Sequence, residues 1–320
     1  MKKILNSIQL VVEKSKFVSI NETAIANFAK TITLGDFNKS EYNNETIIEN
    51  GSEEEQIAYA IVYNALNFCY WGEPKWTITI DSQEYDGSSG MLRALKRGIK
   101  NGYKLLEAEY LAELPKQDLK DVFKGNIEIP LFKQRLELLR ELGKIIVGKF
   151  SSQFLNVVKK GNFDSEKIVN ILAKDFPNIF DDTASYHGNK VYFYKRAQLV
   201  PAHLADLKKL DLISSDITGY DNLTAFADYK VPQLLRKFDT LEYVEELANK
   251  IDSKIEIPSG SDEEIEIRAN TIWAVELATK VLKKNFSQAN AAKVHGVFWF
   301  KGQNKSPDDK PYHRTKTIWY

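Results

Sequence analysis

Cysteine is nearly absent from the 320-residue chain: Cys69 stands alone. A single thiol excludes an intramolecular disulfide framework and predicts a reducing compartment. A surplus of either charge is also missing, because Lys plus Arg and Asp plus Glu number 44 each. Proteins that bind long nucleic acid neutralise many phosphates and carry a basic excess. The balance therefore argues for a small partner, leaving room for a local basic pocket that holds one phosphate. No stretch approaches the roughly 18 consecutive apolar residues of a membrane span. The start, Met1 to Glu13, resembles a signal peptide only briefly, since Asn6, Ser7, Gln9 and Glu13 interrupt it and no small-residue cleavage site follows. Without secretion the Asn-x-Ser/Thr sites at Asn21 and Asn44 carry no meaning, and a cytoplasmic location is expected. Histidines are few, at 187, 203, 295 and 313, and none forms the i, i+4 pair of a helical metal site.

What the chain does contain is ordinary for a folded protein: 43% hydrophobic and 28% charged residues, enough for one substantial core. Capping-box spacings at Ser19/Glu22, Ser52/Glu55 and Ser261/Glu264 predict helix starts. Ile57, Ala60, Ile61, Ala65, Leu66 and Phe68 recur at helical spacing between Glu53 and Trp71. Trp76, Ile78 and Ile80 alternate with threonines, which predicts a short strand, and residues 85–90 then turn the chain into another helix. Long helical patterns cover 131–159, 165–176, 234–250 and 262–284, with short strands expected near 188–194 and 254–258. No repeat or long linker divides the chain. The expectation is one domain over residues 1–320, mostly α with a minor β element.

Gly143, Gly148 and Lys149 fit the spacing of a phosphate-binding loop, but Phe150 stands where Ser or Thr should bind magnesium, and the segment lies in a helical pattern. A helix is expected there. Cys69, between Phe68 and Tyr70, reads as a small packed group rather than a nucleophile. Three segments are richer in aromatic and ionic residues than packing needs: 66–71, 191–198 and 223–233. Aromatic faces beside a carboxylate suit a flat base held in a slot, with an anion near its sugar. Composition alone favours the plainer alternative, a core with surface charges.

The stretches LNFCYWGEPKW, YDGSSGMLRALKRGI, FSSQFLNVV, VYFYKRAQ, LTAFADYKVPQLL, EIEIRANTIWAVEL and PYHRTKTIWY together resemble the queuosine salvage family, the queuosine 5′-phosphate N-glycosylases, from about residue 64 onward. The resemblance implies a helical fold related to the helix-hairpin-helix DNA glycosylases. It also implies hydrolysis of queuosine 5′-monophosphate to queuine and ribose 5-phosphate without a metal or other cofactor. Lys195 preceding Asp228 parallels the hairpin lysine and catalytic aspartate of those glycosylases, by fold-level analogy. The match assigns Asp228 the catalytic role and Phe226 a contact with the base, with Tyr229, Tyr70 and Trp71 as further walls. Lys195 or Arg196 is expected to hold the 5′-phosphate; the alternative for both is solvated surface charge. Residues 290–299 resemble a pocket-lining helix, bringing His295 and Trp299 to the substrate, and His295 departs from the acidic residue often found at that place. Competing readings are a DNA-repair base glycosylase of similar fold and a non-catalytic carrier of queuine or its nucleotide.

Overall fold

The computed structural model describes residues 1–38, 44–304, 306 and 309–320. Among these the chain is mostly helical, with three two-stranded antiparallel sheets as the minor β element. Helices Glu53–Leu66, enclosed without interruption from Gln56 onward, Lys195–Lys209 and Asp262–Leu282 are each mostly buried. The Ser52 capping box forms as expected: the Ser52 hydroxyl accepts the Glu55 N–H while Glu55 accepts the Ser52 N–H at 2.7 Å. Ser261 likewise accepts from Glu264, whose carboxylate accepts instead from the Gly260 N–H at 3.1 Å. Ser19 caps nothing. It lies in strand Val18–Ile20, and Asn21 caps helix Glu22–Ala29 through the Ala24 N–H, because a side chain already in a ladder cannot turn back to a helix start.

The expected strand at 76–80 is Thr77–Ile80, paired with Gln83–Asp86; the following helix, Gly87–Lys100, begins at once rather than after a turn. Strand Asn189–Tyr192 pairs with Thr183–Tyr186. Two long helical patterns are broken. The 131–159 pattern divides into Phe132–Phe150 and Leu155–Lys160, with Ser151 and Ser152 left-handed at φ of 52° and 61°. Glu54 caps the second piece, accepting the Phe154 and Leu155 N–H groups at 2.6 and 2.9 Å. The 234–250 pattern becomes helix Lys230–Lys237, strand Leu241–Tyr243 and helix Glu245–Asp252. That strand exists because Val18–Ile20 pairs with it, a partner that no local pattern reveals. Residues 254–258 form no strand, only an isolated bridge from Glu256 to Arg314.

The phosphate-loop spacing lies inside helix Phe132–Phe150, as the helical pattern required. Gly143 is needed for packing: a Cβ there would meet the Ala112 nitrogen at 2.3 Å, so glycine permits a close crossing with helix Ala108–Ala112. The N-terminal segment is pinned to the core by Glu266. One of its oxygens accepts the N–H groups of Lys16, Phe17 and Val18 at 2.9, 2.6 and 3.2 Å, and the other accepts the Tyr186 hydroxyl at 2.8 Å.

Candidate active site

The site begins where helix Glu53–Leu66 ends. The carbonyls of a helix C-terminus lack intrahelical donors and carry the negative end of the macrodipole. Here five consecutive carbonyls, Ala65 to Cys69, accept from three cations. Arg196 takes Ala65, Lys195 takes Asn67 at 3.2 Å, and Arg135 takes Leu66, Phe68 and Cys69 at 2.5, 2.6 and 3.1 Å. Arg135 and Arg196 are fully enclosed; burial lowers their guanidinium groups to about 10 and about 9, which leaves both charged at neutral pH. Arg135 also faces the rings of Phe68 and Tyr70 at 4.2 and 5.4 Å. The clamp holds Cys69 at φ 41° and fixes where Tyr70 and Trp71 leave the helix.

Arg196 therefore cannot serve a substrate phosphate. Its other donor goes to the Ile179 carbonyl, and it does not line the cavity. The alternative expected from sequence, a solvated surface charge, is equally wrong. An arginine that follows a run of aromatics looks available in sequence, because its backbone acceptors leave no trace in side-chain patterns.

Above this floor lies a cavity of about 800 Å³. Tyr70, Trp71, Phe226, Tyr229 and Trp299 line it, together with Lys195, Asp228 and His295. The structure thus brings together every site residue expected from sequence except Arg196. Trp71 is oriented by its indole N–H, which donates to the Thr315 carbonyl at 3.1 Å, and Tyr229 leans on Tyr312 with ring centroids 4.8 Å apart. Phe226 meets His295 edge-on at 5.0 Å.

Asp228 sits just before helix Lys230–Lys237 and is 7% exposed. Its Oδ1 accepts the N–H groups of Lys230 and Val231 at 3.0 and 2.9 Å. These bonds fix the carboxylate at the positive end of a helix and leave Oδ2 for the cavity. Burial pushes the carboxyl up; Lys195, the nearby Lys230 charge and both backbone N–H groups pull it back. His295, in helix Ala291–Gln303, is pushed down to about 3, chiefly by burial and secondarily by the Lys195 charge, so its ring is neutral. Its Nδ1 is buried without a hydrogen-bond partner.

Several lining residues carried no role in the sequence reading. Ser88 and Ser89 open helix Gly87–Lys100, while Tyr312, Arg314 and Tyr320 come from the C-terminal segment. All lie in the YDGSSG and PYHRTKTIWY stretches, whose richness in Tyr, Ser and Arg was the available signal. Among the described residues no cluster of three or more His, Cys, Asp or Glu side chains forms a metal site.

Residues 47–320 match the family model described as queuosine salvage protein. The chain belongs to that family. A relative from Sphaerobacter thermophilus is 37% identical over 99% of this chain and 97% of its own length, and bears the name queuosine 5′-phosphate N-glycosylase/hydrolase. Proteins of the same name from Mus musculus and Dictyostelium discoideum are 30% and 31% identical, covering 84% and 82% of the chain and 83% and 77% of their own lengths. Membership agrees with the motifs, and the first of these alignments takes in the N-terminal segment that the motifs left out. His295 is neutral and buried against Phe226, so its ring can accept a hydrogen bond as well as donate one.

Proposed function

We propose that the protein hydrolyses the N-glycosidic bond of queuosine 5′-monophosphate, releasing queuine and ribose 5-phosphate. The observation that carries this reading is Asp228: a carboxylate held by two backbone N–H groups, with Lys195, in a cavity walled by aromatic rings. The names of the relatives supply the substrate.

Cleaving the C1′–N bond leaves positive charge on the ribose, in an oxocarbenium-like transition state. The free Oδ2 of Asp228 stabilises that charge, by electrostatics or as a nucleophile. The electron pair of the bond leaves with the base, water supplies hydroxide to C1′, and the remaining proton goes to the base. Queuine is a 7-deazaguanine and has no ring nitrogen at position 7 to protonate. The burden therefore shifts to Asp228 and to hydrogen bonds on the departing base, where neutral His295 is placed beside Phe226. Phe226, Tyr229, Tyr70, Trp71 and Trp299 supply stacking surface. Lys195 is the cation we assign to the 5′-phosphate, acting as a point charge.

Finer parts of the reading are kinship in shape to helix-hairpin-helix glycosylases, a single domain and a cytoplasmic location. In support, Lys195 at the start of helix Lys195–Lys209 and Asp228 just before helix Lys230–Lys237 line one cavity, the buried side chains form one core cluster, and the lone thiol fits a reducing compartment. The charge balance supports a mononucleotide rather than a nucleic-acid substrate.

The test is mass-spectrometric detection of queuine after incubation with queuosine 5′-monophosphate, with Asp228→Asn alongside. Asparagine keeps an oxygen for the two backbone N–H groups but lacks the charge. Release by wild type and not by the variant is expected. Binding without release by wild type would favour a carrier, and near-normal turnover by Asp228→Asn would sink the assignment.

A further inference from the structure

Arg268, in helix Asp262–Leu282, is 2% exposed and does not line the cavity. Its guanidinium donates to both oxygens of Asp182 at 3.0 and 2.6 Å and to Glu264 at 3.4 Å. Phe193 and Tyr320 flank it, their ring centroids 3.8 and 4.4 Å from its Cζ.

Each of these partners leads back to the site, Glu264 through its hydrogen bond with Tyr320. Asp182 Oδ2 also accepts the Lys195 N–H at 3.3 Å, and the Asp182 carbonyl accepts the Phe193 and Tyr194 N–H groups at 3.0 and 3.2 Å. Asp182 thereby holds Tyr194 in the left-handed region at φ 51°, the turn from which helix Lys195–Lys209 starts. Tyr320 lines the cavity, and its backbone oxygen accepts the Cys69 N–H at 2.8 Å, joining it to the cation-clamped floor. The Tyr320 hydroxyl in turn meets His313 Nε2 at 3.1 Å. One guanidinium thus contacts the residues that set the origin of Lys195 and the place of a cavity wall.

A buried ion pair is a weak source of stability, since apolar replacements of similar volume are often as stable. Geometric definition is the stronger reason for burying two carboxylates around one arginine. We infer that Arg268 is a positioning residue for this site, setting Lys195 and Tyr320 in register through Asp182 and ring stacking. Its catalytic consequence rests on the glycosidase reading above; the structural consequence does not.

The experiment compares wild type, Arg268→Lys and Asp182→Asn by three readouts: steady-state kinetics on queuosine 5′-monophosphate, melting temperature, and amine labelling of Lys195 followed by peptide mass spectrometry. Lysine keeps the charge but loses the planar fork and the two-sided stacking. Misplacing reactive groups by about 1 Å costs on the order of a hundredfold in rate. The expected result is a fall in kcat/KM of about tenfold to a hundredfold, with melting temperature largely kept and Lys195 labelling raised severalfold. Full kcat/KM with unchanged labelling in a folded Arg268→Lys protein would overturn the inference, as would activity lost only in proportion to folded protein. Should Arg268→Lys fail to fold, Asp182→Asn decides by the same readouts. No queuine release by wild type would defeat the glycosidase reading alone, and labelling would still decide the positioning role.

Discussion

The Lys195 ammonium group donates to the Asn67 carbonyl at 3.2 Å, tying the first residue of helix Lys195–Lys209 to the last turn of Glu53–Leu66. The same ammonium lowers the Asp228 carboxyl and pushes the His295 ring down, so two further groups of the cavity respond to its charge. Replacing Lys195 with Met keeps much of the stem and removes the charge. A hydrogen bond to a charged group contributes about 1.5–3 kcal/mol, which corresponds to roughly tenfold to a hundredfold in kcat/KM for the monophosphate. The nucleoside should lose much less. Steady-state kinetics on both substrates checks this, and equal losses would remove the phosphate role from Lys195.

The same variant makes a second prediction, in pH. Asp228 must be ionised to face developing positive charge. Burial raises its carboxyl and Lys195 is the largest influence lowering it, so removing Lys195 raises it further. The acid limb of kcat/KM against pH should therefore move to higher pH in Lys195→Met. A limb that stays in place, or moves to lower pH, would separate Lys195 from the ionisation of Asp228.

Local signals and long-range partners explain which features were legible in the sequence. The Ser52 box and the alternation over 76–80 are set within a few residues, and the structure follows them. Strand Leu241–Tyr243 was hidden because its ladder partner, Val18–Ile20, lies near the other end of the chain. At the site, composition singled out the aromatic segments around residues 66–71, 191–198 and 223–233, but the roles of individual residues came from family resemblance. Arg196 and Arg268 were illegible as structural groups. Their acceptors are backbone carbonyls in one case and, beyond the same-helix Glu264, the remote Asp182 carboxylate in the other. The identity of the arginine said nothing of either.

His203 supplies a pH prediction for stability. It is buried, bonds the Thr46 carbonyl at 2.8 Å through Nε2, and is pushed down to about 4 from 6.5 by burial. A histidine whose folded value is depressed binds its proton more readily in the unfolded chain, so its contribution falls as pH drops below the unfolded value. Between about pH 6.5 and 4 this costs about 1.4 kcal/mol per pH unit. His203→Gln, which keeps a donor for Thr46, should be less stable than wild type at neutral pH, with the gap closing as the solution is acidified. Urea denaturation of both proteins from pH 7.5 to 4.5 reads this directly; parallel curves would mean that His203 does not titrate on unfolding in this range.

His295 separates function from stability more cleanly. A buried ring nitrogen without a partner carries a desolvation cost of about 1–3 kcal/mol that no protein contact offsets. The ring also lines the cavity beside Phe226, where the base would meet it. His295→Leu removes the unsatisfied atom and keeps an apolar side chain against Phe226. The melting temperature should hold or rise, while kcat/KM on queuosine 5′-monophosphate falls by about tenfold, the worth of one hydrogen bond. A fall in both would make His295 a packing residue, since the neighbouring core would then depend on its shape. A fall in neither would place it outside the substrate's reach. Loss of activity with stability retained is the outcome that makes His295 part of base recognition, and it would show that this chain reads its base with a neutral ring.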